Sequence, residues 1–205
     1  MSSSPFCATD LNEMYEPPSE MIVKSVLPHL VSFHHAYLQV ATFFCLATGS
    51  AEGLDASPRG GPAGFVQVLD DKHIAFADWP GNNRIASLRN VIEDDRVGML
   101  FLFPGLEIFM RINGHAAISR DAALLERLTE GARLPKCAIV VRIDEVLFHC
   151  GKAINRANLW SDAARLDPRS VPSPGQMKAA LTGADAAAAQ KMDAGYYTSV
   201  RNSLY

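Results

Sequence analysis

Two short stretches of the sequence carry residue types that can hold an anion. In Ser57-Pro58-Arg59-Gly60-Gly61-Pro62 one guanidinium stands between a hydroxyl and two glycines, so fork-shaped donors and bare backbone could approach a phosphate together. Taken alone, the stretch reads equally as a turn with a solvated arginine, because Gly and Pro mainly punctuate loops. Pro80-Gly81-Asn82-Asn83-Arg84 is more pointed: a Gly-bearing loop runs into a helical pattern, with Arg84 and Ser87 at its first turn. Unpaired N–H groups and the helix dipole favour an anion there. Ordinary capping by Asn with an exposed Arg84 is the plainer alternative. Two such loops separated by one hairpin shift the weight towards a shared phosphate site.

Other candidates are weaker. His149 precedes a basic turn in which Lys152 and Arg156 fall at i and i+4 if the segment is helical, able to meet an anionic ligand or simply to share a solvated face. Arg111-Ile112-Asn113-Gly114 lies on a predicted strand, as a ligand contact or a polar edge. No G-x-S-x-G elbow is present, and His149 and Cys150 are only sequence neighbours, so no catalytic residue is assigned. His34-His35 has neither HExxH spacing nor an acidic partner nearby, and no metal site is expected.

Composition narrows the class further. The 205 residues are 48% hydrophobic and 20% charged, enough to bury a sizeable core, and the net charge of −3 argues against a nucleic-acid protein built on a basic surface. Cys7, Cys45, Cys137 and Cys150 form no CxxC pair, which fits reduced thiols in a cytoplasm better than a disulfide framework. No secretory leader and no apolar run of membrane-spanning length is visible, so a cytoplasmic protein is expected.

The elements that must position these residues follow from periodicity. Residues 18–41 read as helix broken at Pro28, with Ser19 as cap. Six runs rich in Val, Ile, Phe and Leu then read as strands: 43–48, 65–69, 73–77, 97–103, 108–118 and 137–148. Leu69-Asp70-Asp71-Lys72-His73 reads as a hairpin turn. Asn82 or Asn83 caps a predicted helix whose Ile85, Leu88 and Ile92 would face inward, and a second helix runs from about Asp121 to Leu128. Beyond Trp160, prolines and the run Ala186–Ala189 predict a loop followed by a helix. The organisation expected is an N-terminal helical segment (1–42), a barrel (43–160) and a C-terminal loop and helix (161–205) packing on the barrel or a partner chain.

The order strand, Ser57-Pro58-Arg59-Gly60-Gly61, hairpin, Asp78-Trp79-Pro80-Gly81-Asn82-Asn83-Arg84, helix, strand 97–101 and Arg111-Ile112-Asn113-Gly114 resembles the pyridoxamine 5′-phosphate oxidase-like flavoproteins over roughly residues 40–160. Phe148-His149-Cys150-Gly151-Lys152-Ala153 and Gly175-Gln176-Met177 resemble a bacterial branch of that superfamily. The resemblance implies a mainly β, α+β fold, an antiparallel split β-barrel of the FMN-binding type, forming a homodimer with FMN in clefts between the subunits. It implies FMN contacts from Ser57, Arg59, Gly60, Asn82, Asn83, Arg84, Ser87 and Arg111, the last from the same chain or from the partner chain. It further implies an FMN-dependent oxidoreductase with an unknown small substrate. By their charge and position His149, Lys152 or Arg156 could bind an anionic substrate or bring an NAD(P)H donor over the flavin. A flavin carrier or sensor, or a split barrel holding haem or a deazaflavin, are the alternatives. The Arg-x-His element that holds pyridoxal phosphate in the true oxidase has no counterpart here, which argues against vitamin B6 oxidation. Trp79 stands where close relatives carry a basic or polar residue.

Overall fold

The computed structural model describes residues 7–204. Three short helices, α1 (Ala8–Met14), α2 (Glu20–Ser25) and α3 (Ser32–Val40), lead into β1 (Phe43–Ser50), β2 (Gly53–Gly60), β3 (Gln67–Asp70) and β4 (His73–Asp78). Then follow α4 (Ala86–Glu93), β5 (Arg96–Leu102), β6 (Ile108–Ser119), α5 (Ala122–Arg127), β7 (Cys137–Cys150) and α6 (Lys152–Arg156). The chain closes with α7 (Pro174–Thr182) and α8 (Ala186–Asn202). All seven strands form one antiparallel sheet in the order β2-β1-β5-β6-β7-β4-β3.

The fold is mainly β with flanking helices, an antiparallel split barrel. Its two ends approach each other through side chains: Phe44 of β1 stacks edge-on to Phe76 of β4 at 5.0 Å, and Arg59 of β2 reaches Asp78 of β4. Phe101 lies 4.9 Å from Phe44, and Leu46, Ile74, Met99, Met110, Ile112 and Ile139 complete a fully buried interior. Alternation along β5 and the middle of β6 and β7 supplies that interior, since every second side chain of a strand points to the same face. A bulge at Asn113/Gly114 shifts the register of β6 on β7, and a Cβ on Gly114 would come within 2.0 Å of the Arg142 carbonyl, so only glycine fits.

Three sequence expectations are revised. The six predicted strands exist, but β2 is a seventh, hidden by its glycines and Pro58. It is tolerated because β2 is an edge strand with only β1 beside it, where a missing N–H costs no ladder bond. The helix α4 starts at Ala86, and its buried residues are Ser87 and Val91, while Ile85 and Ile92 are 48% and 77% exposed. Beyond Trp160 there are two helices in place of one, locked together where Gly175 meets the Ala189 carbonyl and Asp193 accepts from Ser173 Oγ and Gly175 N, both at 2.6 Å.

The N-terminal segment is strapped to the sheet. Leu27 and Val146 exchange backbone hydrogen bonds, and Leu30 N donates to the Asp71 carbonyl. His34 is buried against Phe148, stacked at 5.3 Å, and its Nδ1 accepts from Val31 N at the start of α3. Among the described residues no helix is long and apolar enough to cross a membrane.

Candidate anion-binding site

On β2, Asp55, Ser57 and Arg59 alternate with exposed residues and so share one face, the face on which their β1 partners Thr48, Leu46 and Phe44 are buried. That face meets the start of α4. Ser57 Oγ lies 3.0 Å from Ser87 Oγ, Arg59 Nη2 donates to Ser87 Oγ at 3.0 Å, and Ser87 Oγ donates to Asp55 Oδ2 at 2.6 Å. On the far side Arg59 Nη1 reaches Asp78 Oδ1 at 3.3 Å. Asn90 Nδ2, one turn further along α4, donates to the buried Thr48 Oγ1 at 3.1 Å and fixes the helix against β1.

Three of the residues singled out in the sequence therefore converge: Ser57, Arg59 and Ser87. Gly60 is the last residue of β2, paired with Phe43. Asn82 and Asn83 are exposed and serve the loop: Asn82 Oδ1 accepts from Arg84 N at 3.0 Å, and Asn83 is left-handed at φ 60°. Ile85, in place of an Asn, precedes the helix, with φ 47°, a conformation that a β-branched residue adopts only under strain. No side chain among the described residues caps α4, so its first N–H groups face the site without a local acceptor from a cap. Arg84 is exposed and lines a cavity of about 690 Å³ together with Arg89, Glu52, Glu93 and Asp55. Asp55 thus joins that cavity to the Ser87 cluster.

The electrostatics are those of a partly dried site. Arg59 and Asp78 are largely shielded, and Arg59 Nε is buried without a hydrogen-bond partner among the described residues. Burial pushes the Asp78 carboxyl up, against the pull of the Arg59 guanidinium and of Lys136. Burial likewise raises the Cys137 thiol, with Asp78 adding to it. A buried N–H without an acceptor costs about 1–3 kcal/mol, so the Arg59 Nε is a donor waiting for an oxygen.

Arg111 does not join this group. It sits on β6, three strand spacings and so roughly 14 Å across the sheet from β2. In register with Leu100 and Cys45 it also occupies the opposite, outer face. There its Nη2 donates to Glu145 Oε1 at 2.7 Å, Asn113 donates to the same oxygen at 2.8 Å, and its Nε is likewise buried without a partner among the described residues. His149, nearby on β7, is kept neutral to lower pH first by burial and then by the Arg111 charge. Lys152 and Arg156 are both exposed on α6, at i and i+4 as expected. A cavity of about 450 Å³ on the outer face is bounded by His115 and Asp144, and His115 is held between Asp95 at 2.7 Å and Asp144 at 3.1 Å. Among the described residues no group of three or more His, Cys, Asp or Glu side chains is arranged to hold a metal.

Asp55 and Asp78 were not singled out in the sequence. The signal for Asp55 is the period-two pattern Asp55-x-Ser57-x-Arg59, legible only once Gly53–Gly60 is read as a strand. Asp78 ends the strand before the loop Pro80-Gly81-Asn82-Asn83-Arg84, and nothing local announces that it faces β2.

An antiparallel split barrel with an Arg and two Ser side chains gathered at a helix start is the class of protein the fold and site define. The family model described as pyridoxamine 5′-phosphate oxidase matches residues 31–150, and the chain belongs to that family. No curated protein matches. Among solved structures, HupZ of Group A Streptococcus is similar at 19% identity, covering 57% of this chain and 92% of that one with a TM-score of 0.45. A putative pyridoxamine 5′-phosphate oxidase from Lactobacillus delbrueckii is 19% identical over 59% of this chain and 95% of that one, TM-score 0.44. An FMN-binding protein from Syntrophomonas wolfei is 14% identical over 56% and 79%, TM-score 0.41.

Proposed function

We propose that this chain is an FMN-dependent oxidoreductase acting on a small substrate, with the flavin phosphate held where β2 meets the start of α4. The observation that carries the reading is the orphaned, buried Nε–H of Arg59. Nε and Nη2 lie along the same edge of a guanidinium and form the fork that takes two oxygens of a phosphate. Asp78 engages Nη1 and Ser87 takes one Nη2 hydrogen, which leaves Nε–H and the second Nη2 hydrogen to a ligand. The residues present fit a phosphate monoester: the Arg59 fork, the Ser57 hydroxyl, the uncapped N–H groups of α4, and Arg84 at the mouth of the 690 Å³ cavity.

Bound FMN would supply the electron-accepting and electron-donating ring, and the protein binds, orients and shields it. Arg59 and Ser87 anchor the phosphate end, and Asp78 positions Arg59. Arg111, on the outer face with its own unpartnered Nε, is suited to the flavin of a second copy of the chain, which supports a homodimer joined through the outer faces of β1, β5 and β6. Leu100 and Cys45 beside it form an apolar row that such a partner would cover. His149, Lys152 and Arg156 are assigned to an anionic substrate or an NAD(P)H donor.

The absorbance spectrum of the purified protein, with chromatography of the released cofactor, tests the reading. FMN bands with oxidation of NADH or NADPH are expected, lost in Arg59→Ala. A Soret band refutes FMN, and flavin without turnover leaves a carrier or sensor. Unchanged turnover and substrate affinity in Lys152→Ala/Arg156→Ala would remove those two residues from the substrate role. A monomer by light scattering would remove the homodimer.

A further inference from the structure

Ser87 has one hydroxyl proton and three close neighbours. It donates that proton to Asp55 at 2.6 Å, so it must accept from both Arg59 Nη2 and Ser57 Oγ, each at 3.0 Å. Both serine protons are then committed inward. An arriving anion meets the lone pairs of Ser57 Oγ and a Ser87 hydroxyl already saturated by its neighbours, with the Asp55 carboxylate directly behind Ser87. One guanidinium, Arg59, faces two carboxylates, Asp55 and Asp78. The other charges bordering Asp55 cancel: Arg84 and Arg89 of the α4 side are matched by Glu93 and by Glu52 of the β1–β2 turn. Around Asp78 stand Lys136 and the Cys137 thiol, with Arg120 near that thiol. A fully ionised phosphate entering the hydrogen-bonded network would add two negative charges beside two carboxylates that share the one guanidinium of Arg59.

Resting on the phosphate reading above, we infer that Asp55 is a specificity residue that makes the site take a phosphate together with one proton. The proton lies between a phosphate oxygen and the Asp55 carboxylate, which borders the cavity. Phosphate monoesters can carry that proton near neutral pH. Sulfate has the same tetrahedral shape but no proton to share, so the site rejects it. Asp55 thereby selects by protonation where shape alone would not.

The test uses the full chain freed of flavin. It is titrated by flavin fluorescence with FMN or riboflavin from pH 6 to 9, with inorganic phosphate and sodium sulfate as competitors. Above the second ionisation of the phosphate, at about pH 6, FMN affinity is expected to fall about tenfold per pH unit, while riboflavin affinity stays level. Calorimetry at pH 8 in two buffers of different ionisation heat is expected to show uptake of about one proton per FMN. Inorganic phosphate is expected to compete at concentrations at least about tenfold below sulfate, and Asp55→Asn to abolish both the pH slope and this discrimination. FMN affinity independent of pH without proton uptake in the unmodified chain overturns the inference, whether or not the variant folds. So does a slope that survives in Asp55→Asn. FMN binding no tighter than riboflavin at every pH removes the phosphate reading itself, and the inference with it.

Discussion

Replacing Arg59 by Met keeps the bulk of the side chain and deletes its charge, and the consequence can be worked out from the neighbours it leaves. Asp78 loses its only ion-pair partner among the described residues while remaining mostly shielded from water, and Ser87 Oγ loses a charged donor at 3.0 Å. Removing one member of a charged hydrogen-bonded pair costs about 1.5–3 kcal/mol. The 3.3 Å separation and the remaining solvent contact put the expected loss near the middle, about 2 kcal/mol. With a urea dependence of about 2 kcal/mol per molar, the midpoint of unfolding should move down by about 1 M at pH 8. The pH dependence gives a second signature. Burial already raises the Asp78 carboxyl, and without Arg59 it rises further. A carboxyl with a folded-state pKa above its unfolded value binds protons preferentially in the fold, so its destabilisation is full above the folded pKa and fades as pH falls through it. The penalty of Arg59→Met should therefore shrink on acidification, and Arg59→Met/Asp78→Asn should recover most of it at pH 8. A double variant as unstable as the single one, or a penalty that ignores pH, would refute the idea that Arg59 and Asp78 act as a coupled pair.

His34 sets a second pH dependence. Burial first, then the charges of His35 and His29, bring it from 6.5 down to about 4. Its contribution is complete above pH 6.5 and is lost as pH falls towards 4, up to about 3 kcal/mol at about 1.4 kcal/mol per pH unit. Thermal unfolding scans should show this slope in the unmodified chain and not in His34→Phe. Gly151→Ala would drive a Cβ to within 2.2 Å of the Glu107 carbonyl, so α6 must shift from the loop before β6. A loss of about 2 kcal/mol or more is expected from urea unfolding, with a changed near-ultraviolet signal from Trp160, whose Nε1 donates to the Leu106 carbonyl at 2.8 Å.

Six of the seven strands, the 69–73 hairpin and the helix after Asp121 were legible because each depends on periodicity or on local capping, such as Asp121 accepting from Leu124 N at 2.8 Å. The family was legible too, since the order of motifs is itself a sequence property, and it matches residues 31–150. Ser57, Arg59 and Ser87 were legible from residue type, from their place beside glycines or at a helix start, and from the family resemblance. What the tertiary structure decided is how they are used. The β2 strand was masked by Gly53, Pro58 and Gly60, residues that depress strand propensity, yet an edge position beside β1 tolerates them. Only as a strand does Asp55 share a face with Ser57 and Arg59, and only the curl of the sheet carries Asp78 to Arg59 from an element separated from β2 by four others. Arg111 illustrates the converse. Its type matched the site, but strand parity placed it on the outer face, because a strand turns successive side chains to opposite sides. Local chemistry thus specified which groups could bind an anion; long-range strand pairing, invisible in any window of sequence, specified which of them meet and which carboxylates they meet first.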